Sequence, residues 1–224
     1  MATERPYDLV LFGATGFTGG LTAHYLAANA PAELRWALAG RNRTKLAALR
    51  DQLAGVRPGS ADLPLLTADA ADPAGLAEVA AATRVVISTV GPFLRYGEPL
   101  VAACAEAGTD YVDITGEPEF VDLMYLRHHE RAVSSGARLV HACGFDSVPP
   151  DLGALFTVRR LPEGVPLTVD GYVRAMGTFS GGTFHSVVSV VSRQREASRV
   201  ARERRRAEPS PLGRRVRAEL GQPG

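Results

Sequence analysis

Residues 7–19 read Tyr-Asp-Leu-Val-Leu-Phe-Gly-Ala-Thr-Gly-Phe-Thr-Gly, and the reading of this stretch decides the fold. Tyr7 to Phe12 is an apolar run of strand length, stopped at Gly13. The alanine- and leucine-rich stretch Leu21 to Asn29, closed by Ala30-Pro31, predicts a helix. Between them lies G-x-x-G-x-x-G. Gly13 permits a tight turn, Gly16 lets backbone approach a pyrophosphate, and Gly19 lets the helix pack close to the strand. The helix N-terminus then offers free N–H groups and a partial positive charge to phosphates.

The same alternation continues down the chain. Strands are predicted at Arg35 to Ala39, Leu63 to Thr67, Val85 to Val90, Tyr111 to Ile114 and Arg138 to Ala142. Helices separate them at Thr44 to Leu53, with Thr44 as N-cap, and from Asp72-Pro73 to about Ala82, with Asp72 as cap. Two more run from Glu98 to Ala107 and from Pro118 to Ser135, ended by Gly108 and Gly136. Short strands alternating with helices specify an α/β fold, a doubly wound parallel sheet of Rossmann type over residues 1–150.

After Pro149-Pro150 the texture changes. Asp151 to Arg160 is expected to be helical, and Leu167 to Ala175 alternates as a half-exposed strand should. Thr178 to Thr183 reads as a loop, and Phe184 to Ser192 as an apolar helix or strand. Residues 151–192 therefore read as the start of a truncated α+β second domain, for substrate or dimerisation. Its open strand edge predicts homo-oligomers. Residues 193–224 read as an Arg-rich tail, either a solvated helix or disordered.

Composition removes several classes of chemistry. No apolar run is long enough to span a membrane, and the N-terminus lacks an apolar signal region, so a cytoplasmic location is expected. The two cysteines exclude a disulfide scaffold, and no His, Cys, Asp and Glu set has metal-ligand spacing. Residues 1–192 carry a net −5 and residues 193–224 a net +6, so the body has no attraction for nucleic acid. Peripheral contact of the tail with acidic lipid headgroups is the alternative reading. Lys45 is the sole lysine, which rules out a Walker phosphate loop and a Tyr-x-x-x-Lys proton pair.

A dinucleotide site follows from the first strand, turn and helix. Gly13, Thr15, Gly16, Phe17, Thr18 and Gly19 form its phosphate turn. The second strand ends in Ala39-Gly40-Arg41-Asn42-Arg43, where NAD-preferring sites place an acid for the ribose hydroxyls. Arg41, Asn42, Arg43 and Lys45 suit a 2′-phosphate instead, so NADP(H) is the expected cofactor. Asp69 is placed to touch the adenine. Thr89, Val90 and Gly91 end the fourth strand beside the nicotinamide half, and Pro92-Phe93 fixes the chain path there.

The motifs GATGFTG (13–19), LAGRN (38–42) with Lys45, STVGPFLRYG (88–97), YVDITGE (111–117) and ACGFDSVPPDLG (142–153) together resemble the saccharopine dehydrogenase-like oxidoreductases. The pattern is most similar to the actinobacterial trans-acting enoyl reductases and runs over about residues 7–190. The resemblance implies an NADP-binding domain followed by an antiparallel domain carrying much of the substrate pocket. It implies reduction of a carbon–carbon double bond on a lipid or polyketide intermediate, an acyl-chain or small-molecule substrate. Family members are much longer than this chain.

Hydride transfer also needs a proton donor. Tyr96, beyond the fourth strand, is a candidate donor or a stacking group. Asp146 is a second catalytic candidate, with helix capping by Asp146 or Ser147 as the competing reading. Asp113, Thr115 and Glu117 follow the fifth strand, and Glu117 equally suits a helix first turn. His141 reads as a satisfied core histidine, His128 and His129 as solvated, and Cys143 as a small buried residue at the rim. Two further functions stay open: a non-catalytic nucleotide-binding interaction module, and an imine-reducing saccharopine-type dehydrogenase. The latter needs a site for two carboxylates, toward which the sequence after Pro150 offers Arg174 but no clear cluster.

Overall fold

The computed structural model describes residues 5–173 and 192–208. Six strands form one sheet: β1 (Tyr7–Phe12), β2 (Trp36–Gly40), β3 (Leu65–Thr67), β4 (Thr83–Ser88), β5 (Asp110–Asp113) and β6 (Leu139–Val140). Their order is β3-β2-β1-β4-β5-β6, and every pairing is parallel. Chain direction across the sheet reverses between β1 and β4, so this is the doubly wound topology with its switch point at that pair.

The helices are α1 (Phe17–Asn29), α2 (Arg43–Ala54), α3 (Pro73–Ala82), α4 (Phe93–Tyr96), α5 (Glu98–Ala107), α6 (Pro118–Ser135), α7 (Val148–Val158) and α8 (Gln194–Ala207). Strand alternation sends Val10 and Phe12 to one face of β1 and Leu9 and Leu11 to the other. The first face packs with Val86 and Tyr111 under Leu76 and Val79 of α3, Leu100 and Cys104 of α5, and Phe120 and Met124 of α6. The second packs with Leu38 under Ala23 and Ala27 of α1 and Leu46, Leu49 and Leu53 of α2. Two buried layers cover both faces, as an all-parallel sheet requires.

Several expectations shift. The α2 cap is Asn42, not Thr44: Asn42 Oδ1 accepts from the Lys45 amide at 2.9 Å. Asp72 does cap α3, accepting from the Ala74 amide. Helix α7 begins at Val148 rather than Asp151, because Pro149 and Pro150 fit its first turn, where no amide donor is needed. Neither Asp146 nor Ser147 caps it, so that reading is corrected. Leu167 to Val173 forms no strand, since among the described residues no partner strand pairs with it. Ala175, the loop 178–183 and residues 184–191 lie outside the described residues.

Of the Arg-rich segment, residues 209–224 lie outside the described residues, and the reading of 193–208 shifts furthest. Rather than standing free in solvent, α8 docks on α6. Val200 is buried, Arg193 clamps Glu119 at 2.6 and 2.9 Å, and Arg204 reaches Asp122 at 2.8 Å while lying over the Tyr125 ring.

Candidate active site

The glycine turn is held by backbone. Gly13 has φ +85°, and a Cβ there would meet Val90 Cγ2 at 2.6 Å and Thr89 Oγ1 at 2.8 Å. A Cβ on Gly19 would fall inside the contact shell of the Gly13 carbonyl, so the α1 backbone approaches the turn as closely as any residue permits. Gly13 and Ala14 donate to the Ala39 carbonyl at 2.9 and 3.2 Å. Thr89 Oγ1 donates to the carbonyls of Phe12 at 3.1 Å and Gly13 at 3.2 Å. Thr89 thus braces the turn from the neighbouring strand.

No side chain caps the N-terminus of α1, and Gly16 stands there in extended conformation. Thr15, Gly16 and Phe17 are exposed and Thr18 is half-buried. A helix end with free amides, an intervening glycine and a cradle that any Cβ would fill is the arrangement a pyrophosphate requires. The residues present fit a dinucleotide.

At the end of β2, Arg41, Asn42, Arg43 and Lys45 are all exposed, with no acidic side chain among residues 40–45. Gly40 lies next to Thr15, which ties this basic turn to the glycine turn. Arg43 leans toward the Leu65 carbonyl at 3.5 Å. Asp69 spends one oxygen on the Ala71 amide, forming the turn into α3.

The register aligns the strand ends on one rim. Phe12 pairs with Ala39 and Ser88, Gly40 with Thr67, Ser88 with Asp113, and Val112 with Val140. Val90 and Gly91 follow β4 there, and the Gly91–Pro92 peptide is cis. Tyr96 lies on α4, partly exposed, with the Arg95 guanidinium 5.0 Å from its ring centre. Asp146 is exposed ahead of α7, and no hydrogen bond joins it to Tyr96 among the described residues.

The β5–β6 end holds what the sequence reading underrated. Asp113, Thr115 and Glu117 are all buried. Asp113 Oδ1 accepts from the amides of Thr115 at 3.0 Å and Ala142 at 3.1 Å, and Oδ2 lies 2.7 Å from His141 Nδ1. Glu117 does not serve its own helix. Its carboxylate accepts from the amides of Phe93 at 3.0 Å and Leu94 at 2.9 Å, capping α4 from across the rim. The signal was present: polar residues at 113, 115 and 117 keep the period of two beyond the strand end. His141 packs against Tyr111 and edge-on to Phe120.

Burial, with the Asp113 charge second, pushes the Tyr111 hydroxyl well above its ordinary range. That hydroxyl lies against Ser88 and Asp113 without meeting either in hydrogen-bond geometry. Burial and then Asp113 also raise the Cys143 thiol, so Cys143 is not an activated thiolate. Burial holds the Cys104 thiol at about 12. His128 is not solvated as expected: it is half-buried, 3.4 Å from Glu98. His129 stacks on Tyr125. Arg174 lies outside the described residues. A cavity of about 280 Å³ opens on the rim between Leu94, Glu117, Pro118 and Glu119 on one side and Gln194, Ala197 and Ser198 of α8 on the other. No group of residues with metal-site geometry occurs among those described. No described helix is long and apolar enough to cross a membrane.

Comparison with known proteins places this geometry. A Mycobacterium tuberculosis relative is 50% identical over 195 residues, 85% of this chain and 46% of its own length. The trans-acting enoyl reductase of Mycobacterium ulcerans is 49% identical over 162 residues, 72% of this chain and 38% of its own. The chain thus spans less than half the length of these relatives. Among solved structures, saccharopine dehydrogenase (L-Glu forming) from Saccharomyces cerevisiae superposes with a TM-score of 0.54 at 22% identity, covering 68% of this chain and 31% of that one, a likeness of fold. Residues 9–140 match the saccharopine dehydrogenase NADP binding domain, more than half the chain. The protein belongs to that family, whose nucleotide is NADP(H).

Proposed function

We propose that this chain is the NADP(H)-binding part of a reductase that saturates a carbon–carbon double bond on an acyl or polyketide intermediate of lipid synthesis. The observation that carries the reading is the near-50% identity to trans-acting enoyl reductases over 195 and 162 residues of this chain. The cofactor supplies the hydride when bound.

The chain's own residues do the rest. Gly13, Thr15, Gly16, Phe17, Thr18 and Gly19 would seat the pyrophosphate on the α1 amides. Arg41, Asn42, Arg43 and Lys45 would hold the 2′-phosphate, and Asp69 the adenine side. Thr89, Val90 and Gly91 would border the nicotinamide, with Tyr96 and Asp146 further along the rim. On this reading the dinucleotide unit closes near residue 150, and α7 opens a substrate or dimerisation unit.

The test is a fluorescence titration with NADPH and NADH side by side, followed by NADPH oxidation with an enoyl thioester. NADPH should bind at least about tenfold tighter, roughly 1.4 kcal/mol. Equal affinity for the two would remove the 2′-phosphate assignment. Turnover by this chain is expected to be poor, since it spans less than half of its relatives' length, and NADPH oxidation no faster with the enoyl thioester than without it would remove the reaction.

A further inference from the structure

Resting on the reading above, we propose that His141 delivers the proton to the substrate, and that buried Asp113 is its positioning residue. Register places the pair. Phe12, Ser88 and Asp113 lie in one row across β1, β4 and β5, and the Val112–Val140 pairing puts His141, just past the end of β6, beside Asp113. At about 4.8 Å per strand, His141 is roughly 10 Å from the end of β4.

The local chemistry suits proton delivery better than core filling. Asp113 accepts from two backbone amides, so its carboxylate cannot turn away. Its second oxygen faces His141 Nδ1 at 2.7 Å, which fixes the tautomer with Nδ1–H donating. Nε2 is left with no partner among the described residues. A carboxylate behind Nδ1 and a free Nε2 in front is the arrangement by which a histidine is oriented for proton transfer. The next residue, Ala142, holds φ +56°, a left-handed conformation that a non-glycine residue seldom adopts. Its amide is one of the two on Asp113, so the strained turn and the dyad are one unit.

The step balances as follows. The β-carbon takes the hydride that the reduced nicotinamide supplies, and the double-bond electron pair moves to the thioester enolate. The Nε2–H bond of the imidazolium breaks as the α-carbon C–H bond forms. Neutral His141 then takes a proton from water.

The test uses the native chain with His141→Gln, His141→Ala and Asp113→Asn. General acid removal should lower kcat by about 100-fold or more with KM and NADPH affinity nearly unchanged. Free imidazole should restore turnover to His141→Ala. Asp113→Asn should switch the His141 tautomer in a nitrogen-15 spectrum and lower kcat with KM held. In the native chain, the Nε2 resonance should move when NADP⁺ binds while Nδ1 stays. Undiminished kcat, or kcat, KM and NADPH affinity failing together in every variant, overturns the proposal. So does an Nε2 signal unmoved by the cofactor. A native chain whose Nε2 responds but which reduces other α,β-unsaturated carbonyls in place of the enoyl thioester refutes the substrate reading and leaves the dyad in place.

Discussion

The two halves of the sheet are fastened alike at one edge and built differently at the other. At the N-terminal edge, Asp8 of β1 accepts the amide and guanidinium of Arg35, just ahead of β2. Asp110 of β5 accepts the amide and guanidinium of Arg138, just ahead of β6. The same clip joins β2 to β1 and β6 to β5. At the C-terminal rim, the β1–β3 half presents backbone: glycines, free amides and exposed basic side chains. The β4–β6 half presents buried side chains: Asp113, Thr115, Glu117 and His141. Strand-edge clips serve the fold in either half. The rims diverge because a phosphate is held by backbone dipoles, whereas proton chemistry needs side chains fixed by partners.

The largest effect should come from Gly19→Val. The added Cβ would press on the Gly13 backbone, which cannot move without breaking its bonds to Ala39. Loss of about 4 kcal/mol or more is expected, with no folded, NADPH-binding protein recovered. Gly16 separates structure from binding: a Cβ there meets the Gly13 carbonyl at 3.3 Å, a tolerable squeeze. Gly16→Ala should melt near the native temperature and bind NADPH at least about tenfold weaker. Unchanged binding by a folded Gly16→Ala would show that the β1 rim is only a turn.

Glu117→Ala probes the other rim. It strips two buried amides, those of Phe93 and Leu94, of their acceptor. About 2–4 kcal/mol of stability should go, read by urea unfolding, with Glu117→Gln recovering part through its remaining carbonyl oxygen. A loss no larger than a surface substitution would mean that the β4–β6 cluster does not hold α4.

The β1–β3 rim was legible because its signal is local. Glycine spacing, a strand before and a helix after all lie within residues 7–29, and the absent acid after Gly40 is read directly. The β4–β6 rim is assembled from residues 93, 113, 117 and 141, and no local pattern tells that Glu117 caps a helix 23 or 24 positions away. The C-terminal helices show the same limit. Apolar α7 buries none of its residues, and Leu155 and Phe156 stay exposed. Polar α8 docks through one valine and two arginines. Hydrophobic patterning reads burial where a partner surface exists, and the acidic partners of α8 lie 74 and 82 residues away on α6.

Arg41→Ala sharpens the contrast within the first rim. The exposed guanidinium has no role in packing, so stability should hold. NADPH affinity should fall about tenfold, roughly 1.4 kcal/mol, and NADH affinity should stay. Parallel isothermal titrations decide it; equal losses for both nucleotides would place Arg41 away from the 2′-phosphate.

The smallest effect belongs to the shared clips and tests whether they are equivalent. Arg138 donates to Asp110 and holds its carboxyl below the usual range; Arg35 does the same to Asp8. A carboxylate depressed in the folded state favours folding above its unfolded value near 4, and that contribution is lost as pH falls through the folded value. In both pairs the arginine is exposed and the carboxyl partly so, and screening leaves little. Asp110→Asn should therefore lower the melting temperature by roughly 2 °C or less at pH 7. The gap between variant and native chain should close as pH is lowered from about 4 toward 2, because the native carboxyl then loses its charge as well. Asp8→Asn should follow the same course with a still smaller gap, since Asp8 is more completely solvated. A gap that persists unchanged at low pH would mean that the clips act through their backbone amide bonds rather than through charge. A large gap for one clip alone would show that the two halves are not fastened alike.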